Sequence, residues 1–254
     1  MDYISGIESA FKKYIGEESI VDLRKSITDK PMILIAGDQL TGKSTQAKRL
    51  ADNLGGSFHS VGALFREAAK KRGISVAEQA KLLLVERGID VQIDYKTCQV
   101  ISGFNIKSNL GVVEGRQPAY MGSYMASLGK ENIIRLYLTC SIREQALRFL
   151  RREAGEAAYI EGKNKIPKID YENLQSLNTE IQKLEIDNRD KIMDEFIENQ
   201  NRDDDDRHRY SGLYGFDYGN LDGYDIVLDT NEKEPDAVFD KILEKLEISG
   251  FRVN

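Results

Sequence analysis

Residues 37–45 read Gly37, Asp38, Gln39, Leu40, Thr41, Gly42, Lys43, Ser44 and Thr45. This is the pattern Gly-x-x-x-x-Gly-Lys-Ser, in which glycines let backbone N–H groups turn inward around phosphate oxygens. Lys43 is placed to reach the terminal phosphates of a nucleotide, and the Ser44 hydroxyl to ligate Mg²⁺. The motif has this meaning only between a strand and a helix, and both are present. Residues 31–36 form a short apolar run, as a buried parallel strand does. Ala47, Leu50, Ala51 and Leu54 then recur at helical spacing. A helix opening near Lys43 points its positive end at the same anion. The run therefore predicts a nucleoside triphosphate site, with ATP and Mg²⁺ as its ligands.

A second constellation would serve a phosphate acceptor. Arg202, Asp206 and Arg209 fall at i, i+4 and i+7, on one face of a helix. Two guanidiniums flanking a carboxylate can grip phosphate oxygens together with a sugar or base group. The same spacing also describes an exposed ion-pair helix. Phe65-Arg66 opens a helical arm, and Glu114-Gly115-Arg116 ends a short apolar strand. Other P-loop chemistries lack their marks. No Asn-Lys-x-Asp exists to read guanine, and no apolar strand ends in Asp-Glu as motor NTPases require.

The elements that must position these residues alternate along the chain. Strands are expected at 31–36, 58–61, 112–114, 133–138 and 224–228. Helices are expected after the P-loop, near 63–72, 76–87, 90–107 and 118–128, from Ser141 to about Ala154, over much of 171–210, and from Pro235. Residues 155–170 hold Gly155, Gly162 and Pro167 among charges and read as a mobile loop. Strand–helix alternation predicts an α/β fold of the P-loop kinase kind. Its five-stranded parallel sheet carries helices on both faces, and ligands sit at the carboxyl ends of the strands. Two helical stripes before residue 31, split at Gly16, predict an N-terminal extension (1–30) that packs on the body or on a partner. The body is then 31–254, with a helical arm (58–110), which the resemblance given below makes nucleoside monophosphate-binding, and an extended lid insertion (149–200).

The 254 residues carry a net charge of −6, which argues against a general nucleic-acid surface. The arginines instead form islands, at Arg148, Arg151 and Arg152 and at Arg202, Arg207 and Arg209, which suggests a small anion. Cys98 and Cys140 are far apart and read as reduced packing residues. No long apolar run predicts a membrane span, and no signal core opens the chain. A cytoplasmic protein, monomer or homodimer, acting on small-molecule nucleotides is expected.

With those motifs in hand, the chain resembles the cytidylate kinases, and the archaeal type most. The resemblance rests on Gly42-Lys43-Ser44-Thr45, on 60–69 (Ser-Val-Gly-Ala-Leu-Phe-Arg-Glu-Ala-Ala), on Arg72-Gly73-Ile74-Ser75 and on 112–116 (Val-Val-Glu-Gly-Arg). It resumes at Arg209-Tyr210, Tyr214-Gly215-Phe216-Asp217 and 224–230. It covers roughly 31–154 and 200–247. It implies transfer of the γ-phosphoryl group of ATP to CMP or dCMP, giving ADP and CDP or its deoxy form. It further implies that Arg66 and Arg116 bind the acceptor phosphate, that Arg202, Asp206 and Arg209 contact the acceptor nucleotide, and that Arg148 starts the lid, with Arg151 and Arg152 as further candidates. Lys43, Arg148, Arg116 and Arg202 thereby become the catalytic set. Glu114 is implied near Mg²⁺ through water, or else paired with an arginine. Several features depart from the family. The P-loop interior lacks an extra glycine, and Gln117 stands where bacterial cytidylate kinases carry an aspartate that helps read cytosine. The insertion is long, and residues 1–30 have no counterpart. These leave open a kinase for another small acceptor, or a nucleotide-binding regulatory or interaction protein.

Overall fold

The computed structural model describes residues 2–83, 86–171 and 173–252. Five strands form one parallel sheet: β1 (Met32–Ala36), β2 (Ser57–Ser60), β3 (Gly111–Glu114), β4 (Ile133–Thr139) and β5 (Ile226–Asp229). Their spatial order is β2-β3-β1-β4-β5, so β1 is central. Every residue of β1 is fully buried, which explains its unbroken apolar run. Leu34 and Ala36 point into one core layer, and Ile33 and Ile35 into the other. The register aligns Ile35 with Glu114, and Glu114 with Ser60. The carboxyl ends of three strands therefore open onto one crevice. This is the α/β P-loop kinase architecture that the alternation predicts.

Eleven helices surround the sheet among the described residues. The chain opens with α1 (Tyr3–Tyr14) and α2 (Ser19–Ser26), parted at Gly16. Phe11 of α1 is fully buried and meets Tyr95 and Tyr124 edge-on, with ring centroids 5.3 and 5.6 Å apart. The P-loop leads into α3 (Lys43–Asn53). The arm comprises α4 (Val61–Arg72), α5 (Val76–Leu83) and α6 (Gly88–Ile101). The helix expected to reach residue 87 is seen to Leu83; Leu84 and Val85 lie outside the described residues, as do the last two positions of the expected 31–254 body. Reciprocal bonds between Ser75 and Glu78 cap α5 as a capping box. The helix expected to 107 stops at Ile101, where Ser102 turns its hydroxyl back on Gln99. α7 (Pro118–Ser127) and α11 (Pro235–Ile248) each begin at a proline, which suits the first turn.

The loop expected over 155–170 is instead mostly helix. α8 (Ile142–Lys165) is kinked at Gly155 (φ 85°) and continues for another ten residues. Buried Ala158, Tyr159 and Ile166 pack with Leu147 and Leu150, so tertiary contacts override the local turn signals. With α9 (Leu174–Ile181) and the first half of α10 (Arg189–Tyr214), this segment closes a third apolar cluster around Phe149, Leu177, Ile181 and Phe196. The 26-residue α10 thus starts in the insertion and ends against α1, crossing the mouth of the crevice between them.

Candidate active site

The P-loop's shape comes from the backbone. Gly37 has φ +147°, and a Cβ there would stand 2.4 Å from the Leu138 carbonyl oxygen of β4. Leu40, not a glycine, is held at φ +63°. A bulky residue in that region marks stored strain, common where a loop must hold its shape for a ligand. Two donors fix the turn. Thr41 Oγ1 donates to the Asp38 carbonyl at 2.9 Å, and Arg148 donates to the Leu40 carbonyl at 3.0 Å. Arg148 also donates to the Thr230 carbonyl at 2.6 Å and pairs with Glu144 at 3.0 Å. It therefore ties the P-loop, α8 and the end of β5 together. Thr41, Gly42, Arg148, Tyr159, Thr230 and Pro235 line a cleft beside the loop. Arg151 lies over the Tyr159 ring and pairs with Glu156, and Arg152 pairs with Glu153.

Lys43 donates to the Asp38 carbonyl at 2.8 Å and makes no ion pair among the described residues. Burial and the nearby Arg116 lower its pKa, against the pull of Glu114, Asp203 and Asp38. Its charge is thus presented to the crevice without a carboxylate of its own.

The second half of α10 supplies the rest. Arg116 Nε donates to Asp203 at 2.8 Å, and its guanidinium pairs with Asp206 at 2.6 Å. Asp203 also accepts the backbone N–H of Gln39 at 3.0 Å. Arg209 pairs with Asp90 of α6 and with Asp206. Arg207 makes a two-pronged contact to Asp38, both distances 2.7 Å, and lies 4.8 Å from the Tyr218 ring centre. Burial and Asp203 raise the Asp38 pKa, while Arg207 opposes them. Burial alone would lower Arg116, but Asp206 and Asp203 outweigh it and raise its pKa. Beneath this layer, fully buried Asp94 accepts from Gln117 Nε2 at 2.6 Å and from the Tyr214 hydroxyl at 2.7 Å. With no cation on it, burial lifts Asp94 to about 7, and lifts Asp90 to about 6 despite Arg209.

Of the residues singled out in the sequence, Lys43, Arg116, Asp206 and Arg209 converge here. Arg202 is exposed on α10 and lines a groove with Asp206 and Arg209, facing Phe65 and Val76 of the arm. Arg66 is exposed on α4, and neither Arg66 nor Arg202 forms an ion pair among the described residues. Ser44 opens onto solvent in the first turn of α3, and Glu114 is buried at the end of β3 without an ion pair among the described residues. One hydroxyl and one carboxylate are oxygen donors that suit Mg²⁺, which completes its shell with water and substrate phosphate. Among the described residues no group of three or more potential metal ligands occurs.

Sequence reading missed Asp203, Asp90 and Asp94, and saw Arg207 only as part of an arginine island. For Asp203 a signal existed: it lies three positions before Asp206, hence one turn away on the same helix. For Asp90 and Asp94 none did, because their partners lie 119, 120 and 23 positions away.

No family model matches the chain. It is 28% identical over 215 residues to a cytidylate kinase of Ignicoccus hospitalis, an alignment spanning 85% of this chain and 98% of that protein. It is 25% identical over 208 residues to a cytidylate kinase of Pyrococcus furiosus, spanning 82% and 84%. A cytidylate kinase of Aeropyrum pernix is 46% identical over 79 residues, 30% of this chain and 46% of that one. Among solved structures, a shikimate kinase from Acinetobacter baumannii superposes with a TM-score of 0.43 at 15% identity, over 90% of this chain and 99% of that one. That likeness is loose, and the fold assignment rests on the sheet and P-loop themselves. No helix among the described residues is long and apolar enough to cross a membrane.

Proposed function

We propose that this P-loop kinase, a relative of the archaeal cytidylate kinases, moves the γ-phosphoryl group of Mg·ATP to CMP or dCMP, giving ADP and CDP or dCDP. One observation carries the reading: the P-loop and the arginine pair Arg116 and Arg209 meet at one end of the sheet, bridged by carboxylates of α10. In the reaction an oxygen of the acceptor phosphate bonds to the γ-phosphorus as the bond to the β-phosphate oxygen breaks. The nucleophile is already anionic, so no strong general base is needed. What the protein must supply is alignment, charge neutralisation and exclusion of water.

Lys43 and the loop's N–H groups neutralise the donor phosphates. Ser44 and, through water, Glu114 would hold Mg²⁺, which when bound would offset the charge of the donor phosphates. Arg116 and Arg66 align the acceptor phosphate, and Arg202, Asp206 and Arg209 hold the acceptor's sugar and base from the groove. Arg148 contributes in two ways: it braces the strained Leu40 turn and lines the donor cleft. Residues 1–30 are then an N-terminal extension, 58–110 the acceptor arm, and 149–200 a lid that sheds water from the donor. The protein would work in the cytoplasm as a monomer or homodimer.

The test is a coupled ADP-release assay with Mg·ATP against CMP, dCMP, UMP, AMP, GMP and dTMP, beside a no-acceptor control. Turnover that depends on CMP or dCMP is expected. Release no faster with any of them than without an acceptor would overturn the assignment.

A further inference from the structure

The P-loop holds an anion of the protein's own. Asp203 is 4% exposed. One carboxylate oxygen accepts the inward N–H of Gln39, and the other accepts from Arg116. Gln39 belongs to the loop whose N–H groups receive donor phosphate, and Arg116 is the arginine assigned to the acceptor phosphate. A single carboxylate thus spans the two places between which a phosphoryl group would travel. The guanidiniums around it already have carboxylate partners, Arg116 in Asp203 and Asp206, Arg207 in Asp38, Arg209 in Asp90 and Asp206, while Lys43 forms no ion pair among the described residues. Asp38 and Asp203 are close enough for Asp203 to help raise the Asp38 pKa. Further negative charge brought into this pocket meets two carboxylates at short range and is repelled unless one withdraws.

We propose that Asp203 is an intramolecular stand-in for phosphate, which a nucleotide must displace before the donor and acceptor sites are both open. The proposal rests on the reading of this crevice as the phosphoryl-transfer site. Displacing Asp203 from Gln39 also removes one of the two carboxylates that hold Arg116, leaving Asp206 as the other. Whichever nucleotide binds first therefore removes a cost that the second would otherwise meet, and donor and acceptor favour each other's binding. Asp203 remains outside the bond-making itself, and it governs access and order.

The experiment is calorimetric titration of the intact protein with pyrophosphate and with Mg²⁺ and a non-hydrolysable ATP analogue, each with and without CMP. Three proteins are compared: wild type, Asp203→Asn and Asp204→Asn. Asp204 is exposed one position along the same helix and controls for net charge. Asp203→Asn is expected to bind both probes about tenfold tighter, with the enhancement by CMP reduced. Asp204→Asn is expected to stay within about twofold of wild type. Should the Asn variant fail to fold, Asp203→Ser takes its place. Affinity unchanged or weakened in the position-203 variant overturns the proposal, and so does an equal gain in Asp204→Asn. Because the readout is anion binding, failure of CMP-dependent turnover would remove the proposed acceptor and leave this result standing.

Discussion

The P-loop owes its form to backbone: a left-handed glycine under the Leu138 carbonyl, a strained Leu40, and a helix start. The proposed acceptor side owes its form to side chains. Arg116, Asp203, Asp206, Arg209 and Asp90 come from β3's end, α10 and α6 and hold one another by charge. A backbone-built site is preorganised before any ligand arrives. A charge-built site is satisfied by itself and must reorganise to bind. The first should fail abruptly when altered, and the second should trade stability against binding.

The sharpest break of this comparison lies in the loop. Gly37→Val forces a Cβ onto a carbonyl oxygen and should abolish ATP binding, while Lys43→Met should keep the loop but lower kcat by about 10²–10³-fold or more. Single-turnover transfer assays and ATP titrations separate the two; a Gly37→Val protein that binds ATP normally would show that the loop is not rigidly specified.

On the charged side the effects shrink and change kind. Arg116→Ala should lose about 2–4 kcal/mol of transition-state stabilisation, read as kcat/KM for the acceptor. Unchanged kcat/KM would remove Arg116 from the acceptor site. Arg209→Ala takes its ion-pair partner from buried Asp90 and leaves Asp206 with Arg116 alone, and should cost about 3 kcal/mol of stability in denaturant titration. Exposed Arg202→Ala should cost under about 0.5 kcal/mol of stability while raising the acceptor KM. Equal destabilisation by both would mean that the two arginines share one structural role.

The mildest test is pH. Asp94 titrates near 7 in the folded chain, above its unfolded value. Its proton therefore stabilises the fold fully below about pH 4, and that contribution is lost as pH rises through 7. Wild type should lose melting temperature between pH 5 and 8, and Asp94→Asn should lose less. Parallel melting curves would show that Asp94 stays ionised.

The same contrast explains what could be read from sequence. The strand, loop and helix around Lys43 are contiguous, so residues 31–54 disclosed the fold class and pointed to the candidate donor site. Arg202, Asp206 and Arg209 were visible because one helix sets their spacing. The 155–165 helix was not, since its glycines signal a turn and only packing against Leu147 and Leu150 overrides them. Asp90 was hidden for a like reason: an ion pair between residues 119 positions apart leaves no local trace, whereas Asp203 stood one turn from Asp206 and was open to the same helical reading.

The packing of α1 has a consequence for the order in which the chain is made. Gly6 lies so close to α10 that a Cβ there would stand 2.4 Å from the Tyr214 carbonyl oxygen, and Tyr3 meets Phe216 edge-on at 6.1 Å. α1 thus leaves the ribosome long before the α10 surface that covers it. At about 5–20 residues per second, roughly 10–40 s separate the two. Through that interval Ile7 and Phe11 have only part of their final cover. A nascent chain halted before residue 210 should bind apolar dyes and chaperones strongly, and release them once α10 is complete.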